Sequence, residues 1–139
     1  MALDRDSALA RFADTPVASL ATTRPTGGPH IVPVSFTVDA ERVFIMIDAK
    51  PKTTTALQRL ANIEANPEVS LLAHHYEDEW RNLWWVRVDG EATIAEDPDL
   101  VAEPRRLLQE KYPQYRGQPP DGPAIVIEIT DVTWWEWIR

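Results

Sequence analysis

The spacing of hydrophobic and polar positions changes several times along the chain, and each change marks an element. Leu9 and Phe12 lie three apart with Ala8 and Ala13 beside them, which predicts a helix over 3–12 that Pro16 ends. Val17, Ser19 and Ala21 then alternate with Ala18, Leu20 and Thr22, the period of a strand. Arg24-Pro25-Thr26-Gly27-Gly28-Pro29 reads as a turn, because glycine supplies positive φ and proline presets its own. A strand follows from His30 to Val38, Asp39-Ala40-Glu41 turns it, and another runs from Arg42 to Ile47. Three strands joined by short turns predict an antiparallel meander.

Thr53 to Ala65 has helical spacing, with Leu57, Leu60, Ala61 and Glu64 expected on one side and Ala56 and Ile63 flanking the leucines, and Asn66-Pro67 ends it. Val69 to Tyr76 reads as a strand, and the acidic Glu77-Asp78-Glu79 as a loop. In the strand Leu83 to Ile94, Trp85, Arg87 and Asp89 oppose Trp84, Val86 and Val88. Asp97 at N-cap and Pro98 at N1 start a helix that reaches Lys111. Tyr112 to Pro123 has no apolar period and is expected to run over the surface. Ala124 to Trp137 closes the chain as a strand. Six or seven strands against three helices, without regular alternation, argue against a doubly wound parallel sheet. The expectation is a mainly β fold, a small antiparallel barrel with helices at its ends, forming one domain over 1–139.

Charge narrows the partners. Fourteen Lys+Arg against twenty-two Asp+Glu leave a net charge of −8. Nucleic acid and anionic lipid both call for a basic surface, so neither is expected. The longest apolar runs, Val43–Ile47 and Ala124–Ile127, fall far short of the ~20 residues of a membrane helix. Met1 to Asp6 carries charges where a signal peptide has its apolar core, so a cytoplasmic location is expected. The absence of cysteine removes disulfides, thiolate metal sites and cysteine nucleophiles.

Two clusters suggest chemistry. Two of the three lysines stand in Lys50-Pro51-Lys52, directly before Thr53-Thr54-Thr55 at the start of a helix. A helix N-terminus exposes unpaired N–H groups and carries about half a positive charge, so the segment suits a phosphate or carboxylate. The plainer reading makes Thr53 an N-cap and leaves the lysines solvated. The six tryptophans also cluster, as Trp80, Trp84, Trp85 and Trp134, Trp135, Trp137. Trp85 and Arg87 share a strand face and could wall a planar ligand or an interface, whereas core packing is the plainer role for Trp84 or Trp85 alone. Trp80, in a polar loop, suits a contact role better. His74 and His75 point to opposite faces of a strand and cannot share a metal, so no metal site is expected. Nucleophile-elbow, dinucleotide-fingerprint and P-loop motifs are all missing.

Taken in order, Leu20-Ala21-Thr22, Gly28-Pro29-His30-Ile31-Val32-Pro33-Val34, Lys50-Pro51-Lys52-Thr53-Thr54, Asn62-Ile63-Glu64-Ala65-Asn66-Pro67 and Leu83-Trp84-Trp85-Val86-Arg87-Val88-Asp89-Gly90 resemble the flavin/deazaflavin oxidoreductases of the pyridoxamine-5′-phosphate-oxidase-like superfamily, in particular its actinobacterial branch that uses coenzyme F420. The likeness extends over nearly the whole chain, the tail Tyr112-Pro113-Gln114-Tyr115-Arg116 included. The resemblance implies a split β-barrel homodimer with two cofactor sites at the subunit interface. Lys52 and Thr53, with Lys50, would hold the cofactor phosphate. Val32-Pro33-Val34-Ser35 and Ile47-Asp48 would line the ring system through backbone groups. Trp80 of the partner subunit would approach the cofactor, and Arg87 would contact it or pair with an acid such as Asp89 or Glu91. The implied activity is hydride transfer to or from a small, conjugated organic substrate, with the cofactor carrying the redox chemistry. No catalytic side chain is demanded; His30, Tyr76 or solvent could give a proton. Flavin mononucleotide (FMN) in place of F420, and a carrier that binds without turnover, are the alternatives. Val17-Ala18-Ser19, where related sequences often carry Arg, and Trp134-Trp135-Glu136-Trp137, which lacks a glycine, depart from the family pattern and leave the substrate open.

Overall fold

The computed structural model describes residues 3–47 and 54–137. The elements are α1 (Arg5–Asp14), β1 (Ala18–Thr23), β2 (Pro29–Val34), β3 (Thr37–Asp39), β4 (Arg42–Met46), α2 (Thr54–Ala65), β5 (Glu68–His75), a single 3-10 turn (Trp80–Asn82), β6 (Trp84–Ala95), α3 (Pro98–Lys111), α4 (Gln114–Gly117) and β7 (Ala124–Glu136). Capping chemistry sets the helix starts. Asp4 accepts from Ser7 N at 2.8 Å, and Asp97 accepts from Asp99 N at 2.8 Å with Pro98 in the first turn, as expected.

The seven strands form one sheet in the order β2-β1-β5-β6-β7-β4-β3, and every neighbouring pair is antiparallel. Its two edges, β2 and β3, are separated in the chain by Ser35 and Phe36 alone. The sheet therefore curls until its ends are close, yet no ladder joins them. This is the split β-barrel that the resemblance implies. The inner face holds the core, with Leu20, Phe36, Ile45, Leu71, Val86, Val88, Ile125 and Ile127 all buried. α1 closes one opening with Ala8, Leu9 and Phe12, whose ring lies 4.7 Å from Phe36. α3 covers a smaller cluster, with Val101 and Leu108 against Met46, Ala95 and Ala124.

Three expectations are corrected. The strand expected over His30–Val38 is two strands, because the chain leaves β1 at Ser35-Phe36 and pairs with β4 at the far edge; the simple meander is lost with it. The buried side of α2 is centred on Asn62 and Ile63, while Ala61 and Glu64 are exposed. The reason is polar: Asn62 Nδ2 donates to the Thr22 hydroxyl at 2.9 Å, and Gln58 Nε2 donates to Asn62 Oδ1 at 2.7 Å. Finally, the stretch 112–123 carries α4 and a half-buried Tyr112.

Candidate functional site

Register determines which side chains meet on the outer face of the sheet. Ile31, Ala21, Ser70 and Asp89 stand opposite one another across β2, β1, β5 and β6, and Pro33, Ser19, Leu72 and Arg87 form the next file. A third file is aromatic: His74, Trp85 and Trp135 across β5, β6 and β7. Small residues at 19, 21 and 70 make a floor, and Ile31, Leu72, Tyr76, Trp85 and Arg87 rise around it. The result is an open, largely apolar cleft of about 430 Å³. Its rim is exposed, Ile31 to 65% and Tyr76 to 60%. His74 and Tyr76 meet edge to face at 5.8 Å.

Beyond Ser70 the same face turns acidic. Ser70 Oγ donates to Asp89 Oδ1 at 2.6 Å, and Glu68 and Glu91 line a second cleft beside them. An anionic ligand group is repelled from that end, so it must leave the apolar cleft in another direction.

The tryptophans sort by face. Trp84 and Trp134 pack against the core, Trp85 and Trp135 lie on the outer face, and Trp80 and Trp137 meet at the sheet's end with ring centroids 6.4 Å apart. Of the ring-lining candidates, Val34 and Ile47 are buried, Val32 packs on the core and Pro33 is exposed. Ser35, directly after β2, is half-buried. Trp80 is 63% exposed and does not line the apolar cleft. Arg87 does line it, pairs with Asp89 at 3.4 Å and reaches Thr133 Oγ1 at 3.4 Å. Lys50, Lys52, Thr53 and Asp48 lie outside the described residues. The structure thus brings Arg87 and Trp85 together, as their shared face predicts, and adds Ser19, Ala21, Ile31, Ser70 and Leu72. The small–large alternation along β1 and β5 hinted at this set, but no single segment contains it.

Among the described residues, the buried His30 Nδ1 and Arg59 Nε have no hydrogen-bond partner. Burial pushes the Arg59 guanidinium below its usual pKa, and Tyr115 acts the other way. A half-buried cation on α2 with an unused donor suits an anionic group, which a phosphate-bearing cofactor supplies. The apolar cleft suits a planar ring. It is this cleft, which Arg59 does not line, that fits the ring of a flavin or deazaflavin. Among the described residues no three His, Asp or Glu side chains come together as a metal site.

Residues 5–138 match the pyridoxamine 5′-phosphate oxidase family. The chain belongs to that family. Among its relatives, the F420H2-dependent biliverdin reductase of Mycobacterium tuberculosis is 30% identical over 125 residues, which take in 89% of this chain and 81% of the relative. Two solved structures share the fold. A conserved hypothetical protein of Mycobacterium tuberculosis superposes with a TM-score of 0.77 at 21% identity, covering 98% of this chain and 86% of that one. An FAD-binding protein of Mesorhizobium loti superposes with a TM-score of 0.73 at 18% identity, covering 95% and 94%. The cleft described above is therefore set on the split barrel of the pyridoxamine 5′-phosphate oxidase family.

Proposed function

We propose that the protein is an oxidoreductase that uses coenzyme F420 to transfer hydride to or from a small, conjugated organic substrate. The observation that carries this reading is the likeness, along 89% of the chain, to an F420H2-dependent reductase. When bound, the cofactor supplies the hydride chemistry. Lys50, Lys52 and Thr53 hold its phosphate, helped by the unused donor of Arg59. The backbone of Val32–Ser35 and of Ile47-Asp48 lines its ring. Ile31, Leu72 and Trp85 keep water from the substrate, and Arg87 turns a polar substituent towards itself. Tyr76, at the rim of the cleft, or solvent can pass a proton; His30, in register with the buried Thr22, faces the other side of the sheet.

The working unit is a homodimer, in which Trp80 of the partner subunit closes the site. The exposed Ile31 and Tyr76 at the mouth of the apolar cleft support this, since exposed apolar side chains around a cleft suit an interaction surface. No described helix is long and apolar enough to cross a membrane, and we assign the protein to the cytoplasm.

A specific observation favours a second reading, FMN in the same site. The acidic oligoglutamate tail of F420 asks for several cations, but Arg81 is paired with Glu79 at 2.9 Å and Arg87 with Asp89. A single phosphate asks for fewer. Titration with F420 and FMN side by side separates the two: tighter F420 binding supports the first reading, tighter FMN binding the second. Single-turnover oxidation of the reduced cofactor by a panel of enones and quinones then tests for an enzyme. Tight binding without consumption of any acceptor would make the protein a carrier.

A further inference from the structure

The bend between β2 and β3 is held from outside the sheet. Tyr112, at the C-terminal cap of α3, puts its hydroxyl into it. Phe36 N donates to Tyr112 Oη at 3.0 Å, and Oη lies 2.8 Å from the Pro16 carbonyl and 3.0 Å from the Phe36 carbonyl. A phenol carries one hydrogen, so the shorter contact, to Pro16, takes it. The Phe36 carbonyl is then served by Lys111, whose Nζ donates to it at 2.9 Å and stands 3.7 Å from the centre of the Phe36 ring. Two consecutive side chains from another element thus take both main-chain groups of a residue that has left the ladder, groups whose burial without partners would be costly.

The Phe36 side chain needs neither contact to stay in place, since it is fully buried and packed on Phe12. What the two polar groups fix is the main chain at Ser35-Phe36, and with it the angle at which β2 ends. We propose that Tyr112 and Lys111 are positioning residues for the cofactor site: they hold the Val32–Ser35 backbone in the placement that receives the ring. This rests on the reading of Val32–Ser35 as ring-lining. Burial lowers the Lys111 ammonium to about 8 while Asp14 of α1 opposes the shift, so a cation is kept at this bend at some cost, as a positioning role requires.

The test compares Tyr112→Phe, Lys111→Met and Lys111→Arg with the unaltered protein. The Kd for F420 and for FMN, the absorption maximum of the bound cofactor, and competition by inorganic phosphate are measured for each. Tyr112→Phe and Lys111→Met are expected to raise the cofactor Kd roughly tenfold, the worth of one hydrogen bond, and to move the bound absorption maximum. Competition by phosphate, which reports the anchor and not the ring, stays unchanged, and Lys111→Arg restores the affinity. Unaltered Kd and spectra in both variants overturn the inference even if thermal stability falls. So does a parallel loss of phosphate binding, which would mean general loosening. Failure of the unaltered protein to bind either cofactor overturns the functional reading and this inference with it.

Discussion

Asn62 on α2 and Thr22 on β1 are joined side chain to side chain at 2.9 Å, and both are buried. The bond ties the helix that begins beside the lysine pair to the strand that carries the floor of the cleft. Asn62→Ala removes it together with the bond from Gln58, and leaves the Thr22 hydroxyl unserved. A loss of about 2–3 kcal/mol in urea unfolding is expected. A loss below about 0.5 kcal/mol would mean that water takes the amide's place.

Gly90 sits at the register shift between β6 and β7, where a Cβ would come within 2.5 Å of the Glu128 carbonyl oxygen and 2.6 Å of Ile127 Cγ2. Neither neighbour is a flexible side-chain end, so the backbone must move. Gly90→Ala is expected to cost about 2 kcal/mol or more, read from the shift of the denaturation midpoint. An unchanged midpoint would show that the bulge absorbs the methyl group.

Removing the lysine that stands before α2 tests the anion anchor. Lys52→Ala is expected to weaken cofactor binding by about 1.5–3 kcal/mol, the scale of a charge-assisted hydrogen bond. The loss should shrink as salt is added. Equal affinity in calorimetric titrations of the two proteins would withdraw the assignment.

Ile31, in the open file beside Ala21, tests the dimer. The unaltered protein is expected to sediment as a dimer at micromolar concentration. Ile31→Glu would place an uncompensated charge in the interface and raise the dissociation constant roughly a hundredfold. A monomer at every concentration, or a variant that dimerises as well as its parent, would refute the arrangement.

Lys111 gives a signed dependence on pH. Its ammonium loses the proton at about 8 in the folded chain, against 10.5 ordinarily. Between these values the unfolded chain binds more protons, so folding stability rises with pH through that window. Lys111→Met should flatten the rise. Parallel stability curves for the two proteins from pH 8 to 10.5 would show that carbonyl and ring contacts hold the charge in spite of burial.

Local patterns were enough for much of this fold. The Asp97-Pro98 start of α3 and the alternation of Trp84–Val88 against Trp85–Asp89 are written within one turn or one strand, and the structure repeats them. The break at Ser35-Phe36 was not legible, because the sequence there holds neither glycine nor proline and the apolar pattern runs on through it. The side chain that meets its main chain, the Tyr112 phenol, is 76 positions away. On α2 the burial of Ile63 beside Leu60 follows the apolar spacing, but that of Asn62 was not legible: a buried asparagine looks like a surface residue until its partner, 40 positions earlier, is known. The cleft floor could not be read at all from any one segment, since Ser19, Ala21 and Ser70 become neighbours only through register. Lys50 and Lys52 lie outside the described residues, so their role rests on the sequence pattern alone.

The free margin of β2 has one more consequence. Pro33, Ile31 and Pro29 face Ser19, Ala21 and Thr23 in register, and a proline has no hydrogen to give its neighbour strand. These positions therefore turn their main chain away from β1, and only Ile31 offers an N–H there. A stray extended peptide would find acceptors but almost no donors, and could not zip on. An exposed border that would otherwise invite fibril growth is thus kept quiet by two imino acids.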